Sequence, residues 1–250
     1  MGTITTAAAM DEPPKSFLQR LAGVYVSPGA TLADVARKPD FIAPLIVLVV
    51  LTVAGTELFL AKVGLEPIVR WALEHSSRTS NMSPDQIQQT IAKMVPIQTG
   101  FAHVFGVLWV PLVALLAAVV GMVSVNSIFG GQISFKSAYS TACYAYLVNI
   151  IYYLLGMVMT FLGDPEHIIS NPQNPTPTSL GFFLNPLETS KPMMAAAGSL
   201  EIFTLWYLVL LGIGFSEATA RKVRFTPLFL IFLGLWIVVV LIKAGLATLG

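Results

Sequence analysis

Charge is the first thing this sequence lacks. Asp, Glu, Lys and Arg make up 11% of its 250 residues and hydrophobic residues 55%, whereas a typical soluble domain is about a quarter charged. Too little polar surface remains to cover the core such a composition implies, which excludes an ordinary soluble globule. The net charge of +1 removes any bulk electrostatic case for nucleic acid or an acidic substrate. The one cysteine, Cys143, excludes an internal disulfide framework and a cysteine-based metal cluster. His75, His103 and His167 lie far apart without metal-ligand spacing, so neither a metal nor a cofactor is expected. His-Glu-x-x-His, the phosphate-binding Gly-x-x-x-x-Gly-Lys and Gly-x-Ser-x-Gly are all missing, and a non-enzyme is expected. The first forty residues hold Pro13 and Pro14 but no apolar run, so no cleavable signal peptide is expected. Without an internal repeat, an inverted-repeat transporter is disfavoured.

What is present is long apolar stretches. A helix needs about 20 predominantly apolar residues to span a bilayer, and five segments reach that length, about 41–61, 101–128, 137–163, 198–220 and 227–249. They are too long and too little alternating for barrel strands. The expectation is an all-α integral membrane protein, a bundle of five transmembrane helices. A cytoplasmic N-terminal arm (1–40) precedes the membrane domain (41–250). Thr226-Pro227 reads as an N-cap with proline at the first helical position, and Pro111 falls mid-helix, where it should kink the second span. With the N-terminus inside, that side collects Lys15, Arg20, Arg37, Lys38, Lys136, Arg221, Lys222 and Arg224. The other side collects only Lys62, Arg70, Arg78, Lys93 and Lys191. The positive-inside rule therefore places the N-terminus inside and the C-terminus outside.

Outside the spans, Phe17, Leu18 and Leu21 recur at helical spacing, and Thr31 to Asp34 matches a capping box. Both suit amphipathic interfacial helices lying on headgroups. A further amphipathic helix is expected in the first outer loop, starting at Ser83-Pro84 with Ile87, Ile91 and Met94 on one face. The proline-rich stretch from Asp164 to Met193 forbids a long helix and suggests an extended cover.

Ionisable groups at membrane depth are functional candidates. Glu57 lies sixteen residues into the first span and Lys243 sixteen into the fifth. At about 1.5 Å per residue, both sit about 24 Å across. Glu201 begins the fourth span at the same outer level, so Glu57, Glu201 and Lys243 form a candidate intramembrane ion cluster; snorkelling and helix capping are the competing readings. In the third span Tyr139, Tyr146, Asn149 and Tyr153 share one helical face, a candidate polar groove or helix interface. Glu217 and Arg221 form an i, i+4 pair. Ala114, Ala117, Ala118 and Gly121 give small-residue spacing for close helix packing.

Two stretches carry a family resemblance. One is Arg20-Leu-Ala-Gly-Val-Tyr-Val-Ser-Pro28, followed by Thr31-Leu-Ala-Asp-Val-Ala-Arg-Lys-Pro-Asp-Phe-Ile-Ala-Pro-Leu45. The other is Ser199-Leu-Glu-Ile-Phe-Thr-Leu-Trp-Tyr-Leu-Val-Leu-Leu-Gly-Ile-Gly-Phe-Ser216. They resemble the Yip1-domain family, in particular its bacterial branch. The resemblance implies five spans, a cytoplasmic N-terminus and the bacterial inner membrane. The Asp-Leu-Tyr-Gly-Pro motif of eukaryotic members is absent, so their GTPase binding is not carried over. The implied role is a non-enzymatic scaffold or adaptor, accessory to an ABC-type exporter or a trafficking-like process. Its implied partners are the lipid bilayer and other membrane proteins, ABC exporter components or further copies of the chain. The alternative is a small transporter or lipid-handling protein, which requires a cavity reaching the tyrosine stripe.

Overall fold

The computed structural model describes residues 15–76 and 78–248. Residues 1–14, with Pro13 and Pro14, and Leu249 at the end of the fifth expected span lie outside them. The described residues are helical and contain no strand; a single bridge pairs Ser179 with Glu201. Four helices are long and apolar enough to cross a bilayer. These are α3 (Ile42–Lys62), α5 (Pro84–Val123, prolonged by a π-turn to Ile128), the stretch Phe135–Leu162, and α11 (Phe225–Ala247). A fifth apolar helix, α10 (Ile202–Ala218), has 17 residues, at the short end of the spanning range.

The arm departs most from expectation. Its two helices, α1 (Phe17–Val26) and α2 (Pro28–Arg37), pack into the bundle against α10 and against α6 (Phe135–Tyr146), the first half of the third span. Val24, Thr31, Leu32 and Val35 are fully buried, so these helices do not simply lie on headgroups. Close approach explains the tight fit. A Cβ on Gly23 would stand 2.2 Å from Thr31 Oγ1, so only glycine lets the two helices meet there. Thr31 is also not an N-cap. Ser27 precedes Pro28 and starts α2 four residues earlier, and Asp34 turns instead to Arg20, with Nε donating to Oδ2 at 2.9 Å. Both side chains are almost wholly buried, at 4% and 2% exposure. Breaking such a pair leaves an uncompensated charge, at a cost of about 3–5 kcal/mol.

The first outer loop is more ordered than expected. It contains α4 (Glu66–Glu74), and the next helix starts at Ser83-Pro84 as its sequence suggests, with a capping box in which Ser83 Oγ accepts from Gln86 N and the Gln86 side chain accepts from Ser83 N. That helix does not stop near Thr99. It runs on as the second span, making one helix of 45 residues, about 67 Å long at about 1.5 Å per residue. Pro96 and Pro111 both sit inside it. Ala114, Ala117, Ala118 and Gly121 form its buried face. The Phe215 ring of α10 fills the space beside Gly121, where a Cβ would come within 2.1 Å of it.

The proline-rich segment is not purely extended. It holds α8 (Pro165–Ser170), a 3-10 turn (Leu180–Phe183) and α9 (Lys191–Ser199), none longer than nine residues. The last apolar helix, α11, starts at Phe225 with Arg224 as its N-cap, and not at Thr226. Proline at the third helical position is tolerated because the N–H it lacks has no partner within the helix.

Candidate functional site

The third span is interrupted at its centre. α6 ends at Tyr146 and α7 (Asn149–Leu162) begins three residues later. In between, Leu147 N and Val148 N donate to Tyr144 O and Ala145 O, which tightens the chain into a turn. No proline or glycine marks the place. Away from water, every carbonyl released by such a break needs a donor. Asn149 Nδ2 donates to Tyr146 O at 3.2 Å, and Tyr25 of α1 donates its hydroxyl to Leu147 O at 2.6 Å. The arm therefore reaches the middle of the third span and ties the turn down. Burial pushes the Tyr25 hydroxyl up to about 12, so it remains a donor over the physiological range.

The tyrosine stripe is gathered around this turn. The Tyr146 and Tyr153 hydroxyls lie 3.1 Å apart, and the Tyr207 ring stands edge-on to Tyr146 with centroids 5.0 Å apart. The structure thus brings Tyr146, Asn149 and Tyr153 together. Tyr139 stands apart, stacked on Phe135 and donating to Pro111 O at 3.4 Å.

Beside Tyr153 a cavity of about 430 Å³ opens between α3, α5 and α7. Thr52, Gly55, Gly106, Tyr152, Tyr153 and Gly156 line it among mainly apolar neighbours, and no charged side chain does. Thr52 Oγ1 donates to Gly106 O at 2.7 Å and clamps α3 to α5 at the cavity wall. Such a lining is apolar and offers little to an ion.

The three ionisable candidates each have their own partner. Glu201 accepts from Phe203 N (3.0 Å), Thr204 N (2.7 Å) and Thr204 Oγ1 (3.1 Å), and so caps α10. Lys243 Nζ donates to Ser199 Oγ at 3.1 Å, which brings it to the level of the α10 start. Glu57 pairs with His103 Nε2 at 3.0 Å, both about half exposed. Among the described residues no salt bridge joins Lys243 to either glutamate. The physical reason is local: the donors at the start of α10 turn the Glu201 carboxylate into its own helix. Glu217 and Arg221 do pair, at 2.8 Å. No group of three His, Cys, Asp or Glu side chains that could hold a metal occurs among the described residues.

Sequence reasoning missed three of these features. The Arg20–Asp34 pair joins residues fourteen apart and has no local pattern. The partner of Glu57 could have been inferred, since Glu57 falls near the end of the first span and His103 near the start of the second, at the same end of the bundle. The break at Leu147 has no sequence signal of its own.

A family model for the Yip1 domain matches residues 22–244. The chain belongs to the Yip1-domain family. The match starts inside α1 and runs almost to the end of α11, so it takes in part of α1 and all of α2 together with the apolar helices. Neither the curated proteins nor the solved structures give a match. For this member of the Yip1 family, membership supports a multi-pass membrane protein whose apolar helices lie in a lipid bilayer.

Proposed function

We propose that this Yip1-domain protein is a non-enzymatic scaffold or adaptor of the bacterial inner membrane. It crosses five times with the N-terminus inside, and it works through contacts with other membrane proteins, ABC-type exporter components being the first class to test. The observation that carries the reading is α5. At about 67 Å it is more than twice the roughly 30 Å hydrocarbon thickness, so it continues beyond the bilayer as one unbroken helix. Its first turns are steadied by α4, with Val69 and Ile91 buried. They present Asp85, Gln89 and Lys93 on an exposed ridge. The short α10 supports the five-span reading because it is the most buried of the apolar helices and is shielded from lipid on most sides. The eight basic residues before α3, in the first turn of α6 and between α10 and α11 support the inward orientation of that end. Capture from detergent extracts, with mass spectrometry of co-purifying proteins, tests the reading; membrane-protein partners lost on reversing the charge of Lys93 are expected.

A second reading, lipid handling, is favoured by one observation: the cavity between α3, α5 and α7 reaches Tyr153. Gly156 lines it, and a Cβ there would meet nothing within 4 Å. Gly156→Leu should therefore fill the cavity without strain. Loss of co-purifying lipid in this variant, at unchanged or raised melting temperature, would support lipid handling, and unchanged lipid content would count against it.

A further inference from the structure

A second pocket, unlike the apolar cavity, lies at the end of the bundle where α3 and α6 begin. It has a volume of about 470 Å³ and is lined by Lys15, Phe17, Arg20, Lys38, Asp40, Lys136 and their neighbours Pro39 and Tyr144. Four cations thus face one carboxylate. That carboxylate is already engaged, since Asp40 Oδ1 accepts from Ile42 N at 3.0 Å at the start of α3. Asp34, behind the pocket, is held by Arg20 and Arg37. Among the described residues no salt bridge reaches the ammonium groups of Lys15, Lys38 or Lys136. Lys136 also stands in the first turn of α6, where the helix dipole disfavours a cation and favours an anion.

The cations are not spread over open surface. Arg20 is buried and fixed, donating to Asp34 and, through Nη2, to Lys38 O at 3.1 Å. Its guanidinium carbon lies 5.5 Å from the centre of the Tyr144 ring. Phe17 packs near the same ring, tilted against it with centroids 6.4 Å apart. The pocket therefore combines a fixed guanidinium and ammonium groups outside any salt bridge with two aromatic side chains, and it sits where the chain enters the first span. Basic pockets of this kind at the membrane surface suit anionic headgroups, and guanidinium with ammonium donors suits phosphate oxygens.

We propose that this pocket binds a phosphoryl group, the phosphodiester of an anionic lipid or a soluble phosphate. The site does not depend on the scaffold reading; only its assignment to the inner leaflet rests on the proposed orientation. The test is native mass spectrometry of the full chain in detergent, titrated with phosphatidylglycerol, phosphatidylcholine, glycerol phosphate and inorganic phosphate. Lys38→Gln and Lys136→Gln probe the pocket, both exposed residues. Each should weaken phosphatidylglycerol binding about 5-fold, and the pair together about 25-fold. Lys15→Gln with Lys38→Gln repeats the test outside any helix, in case a change in α6 impairs folding. Lys222→Gln with Arg224→Gln removes the same charge from the same end of the bundle but outside the pocket, and should leave binding within about 2-fold.

Preference for phosphatidylglycerol over phosphatidylcholine, lost in the pocket variants only, assigns a lipid phosphodiester. Displacement of that lipid by inorganic or glycerol phosphate, with the same variant dependence, assigns the phosphoryl group itself and a soluble source. Equal binding of the two lipids, or equal weakening by the control pair, overturns the site in favour of diffuse surface charge.

Discussion

Replacing Tyr25 by phenylalanine removes one oxygen atom and keeps everything else that side chain does. The ring still stands edge-on to Trp206, with centroids 5.8 Å apart. What disappears is the 2.6 Å bond to Leu147 O. That carbonyl also accepts from Ile150 N at 3.0 Å, so it is left half satisfied rather than orphaned. A net hydrogen bond contributes about 0.5–1.5 kcal/mol, and interhelical bonds in a folded membrane protein average about 0.6. Tyr25→Phe should therefore destabilise the protein by about 1 kcal/mol, or about 2–4 °C in melting temperature for a chain of this size. Tyr25→Leu, which also loses the ring contact, should cost about 1 kcal/mol more. Hydrogen exchange should rise around residues 147–151 in Tyr25→Phe. The pH dependence has a definite sign. The folded chain holds the Tyr25 proton to about 12, whereas the ordinary value is 10.0. Stability from this group is therefore complete below about pH 10 and falls as pH rises toward 12, because there the unfolded chain binds fewer protons. The fall should be shallower in Tyr25→Phe. If that variant melts with wild type and exchanges no faster at the turn, the arm is not what holds the interrupted span.

Further outcomes follow from other contacts. Asp34→Ala leaves Arg20 charged and buried and should cost about 3–5 kcal/mol in a denaturant titration, the largest single effect outside the spans. Ala220 has φ 51° at the end of α10, where Ala220 N donates to Glu217 O and Arg221 N to Ser216 O, a Schellman motif with alanine where glycine is favoured; Ala220→Gly should raise stability by about 0.5–1 kcal/mol. Lys243→Met should cost under about 0.5 kcal/mol, because Ser199 keeps its bond to Ala195 O, and a double-mutant cycle with Glu201→Gln should show coupling near zero. Measurable coupling would restore the ion pair that sequence depth suggested.

The membrane helices were legible because their signal is local and long. The first span read as 41–61 is α3 at Ile42–Lys62, and the start of α5 was legible in the adjacent Ser83-Pro84, a cap followed by proline. Errors arose where a local signal competed with a distant partner. Thr31 to Asp34 has the spacing of a capping box, yet Asp34 is drawn to Arg20 and Ser27 starts the helix. The loop helix from Ser83 and the second span from about 101 read as separate pieces, yet they are one helix, because Pro96 inside it removes one bond without ending it. The interruption at Leu147 was illegible for a related reason. Its compensating donors are Asn149, which is local, and Tyr25, which is 122 residues away. Of the tyrosine stripe, Tyr146, Asn149 and Tyr153 shared a face because seven residues make two helical turns, and the 3.1 Å hydroxyl contact survives the tightened turn between them. The cavity beside Tyr153 depends on three helices meeting, which no single segment encodes.

The scaffold account is tested most directly by site-specific photo-crosslinking from the α5 ridge in intact cells. A crosslinking residue at Gln89, exposed and on the part of α5 beyond the apolar span, should capture discrete membrane proteins. The same residue at lipid-facing Leu116 should capture lipid. Lipid or no adduct at Gln89, together with solute flux through the purified protein in vesicles, would contradict the account and make transport the better description.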